Sequence, residues 1–318
     1  MSSEDVKLKL DLNTDGTNSA TGKAGQQFEV QNLSYRYDAL REGDVNNLPT
    51  SSRPTLITLF GISECGKTTF VGSLFAILRR RPSLLNATFL DSDTLTGFER
   101  RVHLRFLSES GQSVIQRTLR KAGSILNVIV GDEKGRNPHM FVISDMAGEI
   151  YKDAISDKKL VLQQQAVKYA DKLVVFVDVE ALLNVKTYNS YKSNFKSLLY
   201  RFKENNMLPV EAEIFLAFNK CDKVSTMADA ATKLESKTDD TQKEEFFKSW
   251  EAKKKTIEEI AKEMLPIADD HVFEISSLGI QVGDEDEGLI NLFKHLLRKK
   301  ENKPLSSAFN WLQNVSNN

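Results

Sequence analysis

From Thr55 onward the chain alternates short apolar runs with longer stretches whose apolar residues recur at helical spacing. The runs Leu56–Phe60, Ile125–Val130, Met140–Ser144, Leu173–Val177, Glu213–Phe218 and Val272–Ile275 read as strands. Met140–Ser144 and Leu173–Val177 are almost wholly apolar, as strands covered on both faces must be. Helical spacing predicts helices over Thr69–Arg81, Thr94–Leu107, Gln112–Lys121, Lys159–Ala170, Tyr191–Glu204, Gln242–Met264 and Leu289–Lys299. Strands alternating with helices predict an α/β fold with a mostly parallel sheet and helices on both faces. The turn-rich segment from Gly131 to Pro138 separates two strands and predicts a hairpin, which adds one antiparallel edge strand.

Elsewhere the pattern weakens. Residues 1–27 carry almost no bulky apolar residue after Leu12, too few to offset the entropy of ordering, and read as a disordered segment. Residues 28–54 read as a short strand, Phe28–Tyr37, and a polar linker ending at Pro54. The α/β domain is expected over 55–300, with 301–318 as a tail. Met227 to Thr241 is polar and reads as a mobile loop. The helix after it gathers Phe246, Phe247, Trp250, Ile257, Ile260 and Met264 near one face, read as a core-facing stripe with a partner-binding face as the alternative. The basic runs at Arg79–Arg81 and Arg298–Lys300 suit helix C-termini.

Composition narrows the function classes. A formal net charge of −1 over 318 residues leaves no electrostatic footprint for nucleic-acid binding. There is no apolar run of membrane-spanning length and no basic-then-apolar leader, so a cytoplasmic protein without membrane contact is expected. The four histidines show no metal-ligand spacing. The two cysteines, Cys65 and Cys221, fall in candidate binding loops and suggest no structural disulfide.

The chemistry concentrates at strand ends. Gly61-Ile62-Ser63-Glu64-Cys65-Gly66-Lys67-Thr68 follows the first strand, precedes a helix and fits the phosphate-loop pattern. In that setting glycines let backbone N–H groups turn toward a triphosphate. Lys67 reaches the outer phosphates, the Thr68 hydroxyl ligates Mg²⁺, and Thr69 continues the helix N-terminus. This loop alone leaves ATPase, kinase and GTPase open. Asp145-Met146-Ala147-Gly148 follows another strand, where Asp145 can hold Mg²⁺ through water and the Gly148 N–H can approach a γ-phosphate. Asn219-Lys220-Cys221-Asp222 follows a third. There Asp222 can accept from guanine N1–H and the 2-amino group, donors that adenine lacks, while Asn219 braces the loop and the Lys220 stem lies over the ring. Ser276-Ser277-Leu278 after the last strand is a candidate loop closing over the base.

In this order the motifs resemble the small P-loop GTPases of the translation-factor and Ras-like class, over about residues 55 to 299. The resemblance implies a Ras-like core, GTP/GDP and Mg²⁺ as ligands, and two segments that order around the γ-phosphate. Thr88 to Arg101 looks like the first-switch region of a bacterial subgroup called double-GTPases, associated with predicted conflict systems. With one GTPase unit visible, that likeness implies an effector or a second GTPase chain as partner. A switch threonine reaching Mg²⁺ is expected near Thr88, with Thr94 and Thr96 as alternatives. Three features depart from the class: Glu149 stands where many members carry glutamine, Leu278 where many carry lysine, and the span from Arg81 to Ile125 is long. Glu149 would repel a γ-phosphate unless protonated or paired, which puts intrinsic hydrolysis in doubt. Arg100 and Arg101 are candidates for an arginine that speeds hydrolysis, an effect of about 10³ or more where it operates; their bland reading is a solvated or salt-bridged helix face.

Overall fold

The computed structural model describes residues 39–40, 53–109, 125–233, 239–278 and 286–299, with backbone alone at 104–109, 230–233 and 239–241. The expected N-terminal segment, its short strand, the helix at Gln112–Lys121 and the tail lie outside these residues. Among the described residues seven strands form one sheet: β1 (Thr55–Phe60), β2 (Ala87–Asp91), β3 (Ile125–Asp132), β4 (His139–Ser144), β5 (Lys172–Asp178), β6 (Glu213–Asn219) and β7 (Val272–Ile275). Their order is β2-β3-β4-β1-β5-β6-β7. β3 runs antiparallel to both of its neighbours and every other pairing is parallel, so the sheet is mostly parallel with an antiparallel edge, as expected.

All six predicted strands are present, and the predicted hairpin is β3–β4. β2 escaped the sequence reading. It is short, only Ala87 is buried, and Leu90 and Asp91 face solvent, so it carries no apolar run. It exists because β3 offers an open hydrogen-bonding edge from Ile129 to Asp132.

Period-two alternation splits each central strand between two cores. On one face Val174, Phe176, Phe215 and Ala217 pack with Phe70, Leu74 and Phe75 of α1 (Lys67–Arg80). Phe98 of α3 (Leu95–Glu109) and Phe293 of the C-terminal helix Glu287–Leu296 complete that layer. On the other face Leu173, Val175, Val177, Leu216 and Phe218 meet Tyr151 of α4 (Gly148–Ala154), Phe195 and Phe202 of the helix Val185–Glu204, and Trp250 and Ile257 of the helix Asp239–Met264. Between α1 and β2 lies α2 (Pro82–Leu85).

The helix predicted over Lys159–Ala170 breaks at Gln164 into α5 (Lys158–Gln163) and α6 (Gln165–Lys168). The residue after β5 starts α7 (Val179–Leu183), and α8 (Val185–Glu204) begins six residues before the predicted Tyr191. Each start has a side-chain cap: Asp178 accepts from the Glu180 N–H at 3.0 Å and Asn184 from the Lys186 N–H at 2.9 Å. The described parts of the polar stretch read as a loop are helical, with α9 (Asp222–Lys233) before α10 (Asp239–Met264). On α10 Trp250 and Ile257 are buried, Phe246, Ile260 and Met264 partly so, and Phe247 faces solvent, so the predicted stripe holds except at Phe247. The last helix is α11 (Glu287–Leu296).

Candidate nucleotide-binding site

The parallel strands β1, β4, β5, β6 and β7 end at one edge of the sheet, where α/β proteins gather their ligands. The loop after β1 runs from Gly61 to Gly66, with Glu64 at φ 69° and Gly66 at φ 89°. It delivers the chain into α1, whose first residues are Lys67, Thr68 and Thr69. The Lys67 ammonium donates to the Gly61 carbonyl at 2.7 Å and to the Ile62 carbonyl at 3.3 Å, and lies 5.6 Å from the centre of the Tyr151 ring. The Lys67 charge and the N-terminus of α1 therefore meet at this loop.

β4 ends at Ser144, and Asp145 behind it is fully buried. Its carboxylate accepts from the Thr68 hydroxyl at 3.1 and 3.3 Å, and from Arg101 Nε at 2.9 Å. Arg101 Nη1 also donates to the Gly97 carbonyl of its own helix at 3.0 Å. Arg101 is buried, whereas Arg100 is exposed on α3. Gly148 begins α4 directly against the phosphate loop. A Cβ there would stand 2.3 Å from Ser63 Cα and 2.4 Å from Ser63 N, so only glycine allows this approach. Glu149 follows, half-buried in the first turn of α4.

Asn219 ties three loops together. Its amide donates to the Cys65 carbonyl at 2.8 Å, and its carbonyl oxygen accepts from the Ser277 N–H at 3.1 Å. Asp222 donates its backbone N–H to the Ser276 hydroxyl at 2.9 Å and leaves its carboxylate exposed at the start of α9. The Ser277 carbonyl accepts from Ser73 of α1 at 2.6 Å; the Ser277 hydroxyl is buried with no partner among the described residues. Leu278 is half-buried at the end of this loop. Lys220 sits at φ 70° with its ammonium 2.9 Å from Asp178 and 3.0 Å from Glu180. Burial pulls the Lys220 pKa down, but these two carboxylates outweigh it and raise it. Burial raises the Asp178 carboxyl in spite of Lys220.

Several neighbours went unread in the sequence: Asp178, Glu180, Ser73 and Tyr191, whose hydroxyl accepts from the Asp178 N–H at 2.7 Å. Asp178 did carry a signal, a carboxylate ending an apolar strand level with the other motifs. The pairing of Arg101 with Asp145 carried none, because the residues are far apart in the chain.

Thr88 needs correction as a metal ligand. It pairs with Gly131 on β3, six residues beyond Ile125, which lies opposite Ser144. Six residues of strand are about 20 Å, so Thr88 sits toward the far end of the sheet from Asp145. Its hydroxyl donates to the Glu133 carbonyl at 3.2 Å. Thr94 is buried and exchanges hydrogen bonds with Asn127. Neither cysteine is a ready nucleophile. Burial pushes the Cys65 thiol up against the pull of Lys67, and the Cys221 thiol up to about 12.

Among the described residues no cluster of three or more His, Cys, Asp or Glu could hold a metal. The Thr68 hydroxyl beside the Asp145 carboxylate is nevertheless a suitable donor pair for Mg²⁺, which takes few protein oxygens and completes its shell with water and phosphate.

Fold and loops together define a P-loop nucleotide-binding core. The chain belongs to the Double-GTPase 2 family, whose model matches residues 55–295, and that membership supports GTP binding. Among solved structures it is similar to the Methanosarcina barkeri Roco2 RocCORdC bound to GDP, at 11% identity and a TM-score of 0.32, over 78% of this chain and 50% of that one. It is also similar to the Chaetomium thermophilum signal recognition particle receptor SRb-GTP/SRX complex, at 14% identity and a TM-score of 0.39, over 78% of this chain and 98% of that one. The chain thus spans half the length of the Roco chain. No curated protein matches it. No helix among the described residues is long and apolar enough to cross a membrane.

Proposed function

We propose that the domain at 55–300 binds GTP with Mg²⁺, hydrolyses it slowly to GDP, and acts as a nucleotide-dependent switch. Asn219 carries this reading, because one side chain joins the phosphate loop at Cys65 to the Ser277 loop. In this reading Lys67 and the α1 N-terminus hold the phosphates, and Thr68 with Asp145 holds Mg²⁺, which would neutralise phosphate charge. Asp222 reads the guanine edge, with Ser276, Ser277 and Leu278 beside the base. Gly148 packs against Ser63, so a γ-phosphate seated between them must move the Gly148 segment. That displacement is the switch. Partners are then an effector or a second GTPase chain, in the cytoplasm, and the subgroup likeness points to a bacterial conflict system.

Glu149 favours a second reading, a GTP-binding module that barely hydrolyses and needs a partner to complete its site. Arg100, exposed on α3, remains a candidate for a rate-raising arginine in cis, and Arg101 is held by Asp145. GDP formation from GTP·Mg²⁺ in single turnover separates the readings, with Lys67→Ala as control. Turnover lost in the variant supports the hydrolase; tight binding without turnover supports the module. For the base, Asp222→Asn should shift preference from guanine to xanthine nucleotides by about tenfold or more, because the amide can donate to a 2-oxo group. Unchanged GTP affinity in that variant would remove Asp222 from the base.

A further inference from the structure

Arg101 stands in an unusual place. It is a buried cation on the carboxylate best suited to help hold a divalent cation, and it comes from α3, in the long span that joins α1 to β3. Two donors fix the guanidinium: Nε goes to Asp145 and Nη1 returns to the Gly97 carbonyl. Its backbone is fixed as well. A Cβ on Gly72 of α1 would stand 2.8 Å from the Arg101 carbonyl oxygen, so α3 rests on α1 one turn beyond Thr68, backbone against backbone. Asp145, Thr68 and Arg101 therefore link three elements, the end of β4, the start of α1 and α3, through one carboxylate.

We propose that Arg101 is a resident counter-cation at the Mg²⁺ seat, and that it couples the position of α3 to metal loading. The inference rests on the nucleotide reading above. The physics is a competition. A buried carboxylate is costly to leave unpaired, and Arg101 supplies both opposite charge and a hydrogen bond. A divalent cation drawing on Asp145 meets a positive charge already paired with it, and in a poorly solvated site that repulsion is weakly screened. The Thr68 hydroxyl can keep its bond to Asp145 beside a metal. The Arg101 pair is the contact that weakens, and α3 loosens from the metal side when it does. Arg101 is on this account a positioning residue: it sets how much Mg²⁺ the site requires and gives α3 a way to report that Mg²⁺ is bound.

The test is a Mg²⁺ titration of fluorescent-GDP binding to the whole chain, comparing the unaltered protein with Arg101→Gln and Arg101→Lys. Removing the charge should lower the half-saturating Mg²⁺ by about tenfold. Arg101→Lys, which keeps the charge, should stay near the unaltered protein. A half-saturating concentration in Arg101→Gln that is unchanged or higher would overturn the proposal, a rise meaning that Arg101 only orients Asp145. Should Arg101→Gln not fold, hydrogen exchange on the unaltered protein decides. Amides from Leu95 to His103 should exchange faster with GDP and Mg²⁺ than with GDP and chelator, and equal rates would overturn the coupling. Absence of GDP binding by the unaltered protein defeats the nucleotide reading and this inference with it. GDP binding whose Mg²⁺ dependence ignores Arg101 defeats the inference alone.

Discussion

Two arginine–aspartate pairs, each with a buried aspartate, lie at opposite ends of the same sheet, Arg53–Asp171 at 2.6 Å and Arg101–Asp145 at 2.9 Å. By residue type and by burial of the aspartate they are alike, although Arg53 is half-buried and Arg101 buried. They differ in what else the aspartate holds. Asp171 precedes β5, accepts from the Leu56 N–H at 2.9 Å and donates its own N–H to the Leu56 carbonyl at 2.9 Å. Its carbonyl accepts from the Glu213 N–H at 2.9 Å. It therefore stitches the beginnings of β1, β5 and β6 into register. Asp145 lies beyond the last residue of β4, and its carboxylate joins helices through side chains, Thr68 and Arg101. Burial and charge alone do not mark a ligand site. A site needs polar groups that hold loops a ligand can re-pair, instead of ladder positions that it cannot reach.

The largest effect should come from the structural pair. Asp171→Ala leaves half-buried Arg53 without its carboxylate and the buried Leu56 N–H without its acceptor, and is expected to cost about 3 kcal/mol of stability. Urea unfolding measures it, with GDP affinity of the remaining folded protein unchanged. A loss below about 1 kcal/mol would place Arg53–Asp171 with ordinary surface pairs and dissolve the contrast. Asn219→Ala should come next. It strands the Cys65 carbonyl and the Ser277 N–H, costs about 1–3 kcal/mol, and weakens guanine-nucleotide binding in parallel. Lost stability with intact GDP affinity would make the Asn219 tie as purely structural as Asp171.

The same contrast explains what could be read from the chain. Six of the seven described strands were legible because β1 and β3 to β6 carry buried apolar runs and β7 alternates buried Phe273 and Ile275 with less buried neighbours, and the motif loops stood at the ends of four of them. Membership of the Double-GTPase 2 family agrees with the resemblance those loops carry. β2 was illegible because its reason for being extended belongs to β3, not to its own residues. α9 and the early start of α8 were obscured by polar composition, although Asn184 is a cap that could have marked the latter. Thr88 was misjudged because spacing counts residues, whereas β2 carries them down the sheet before α3 returns toward Asp145. Arg101 was visible as a residue of interest, but its partner is a matter of packing between distant segments.

The smallest effect is one of pH, and it should be confined to the structural end. His139 opens β4, hydrogen-bonded to Thr55 at 2.8 Å and edge-on to Phe141. Burial lowers its pKa below the ordinary 6.5, the charges of Lys299 and Lys172 add to this, and Asp171 opposes it. His295 on α11 is lowered by burial as well, then by Arg298 and His271, against Asp270 and Glu213. In both, the folded state binds protons more weakly than the unfolded chain. Stability is therefore fully present above about pH 6.5 and falls with acidification until each folded-state pKa is passed. Urea midpoints at pH 7.5 and 5.5 should show the decline, and His139→Gln should reduce it while the His295 part remains. GDP affinity of the folded protein should hold steady across that window, because neither histidine lies at the edge where Lys67, Asp145 and Asn219 converge. An affinity that follows the histidine titration would mean that the two ends of the sheet are coupled, and the division between the two arginine–aspartate pairs would have to be redrawn.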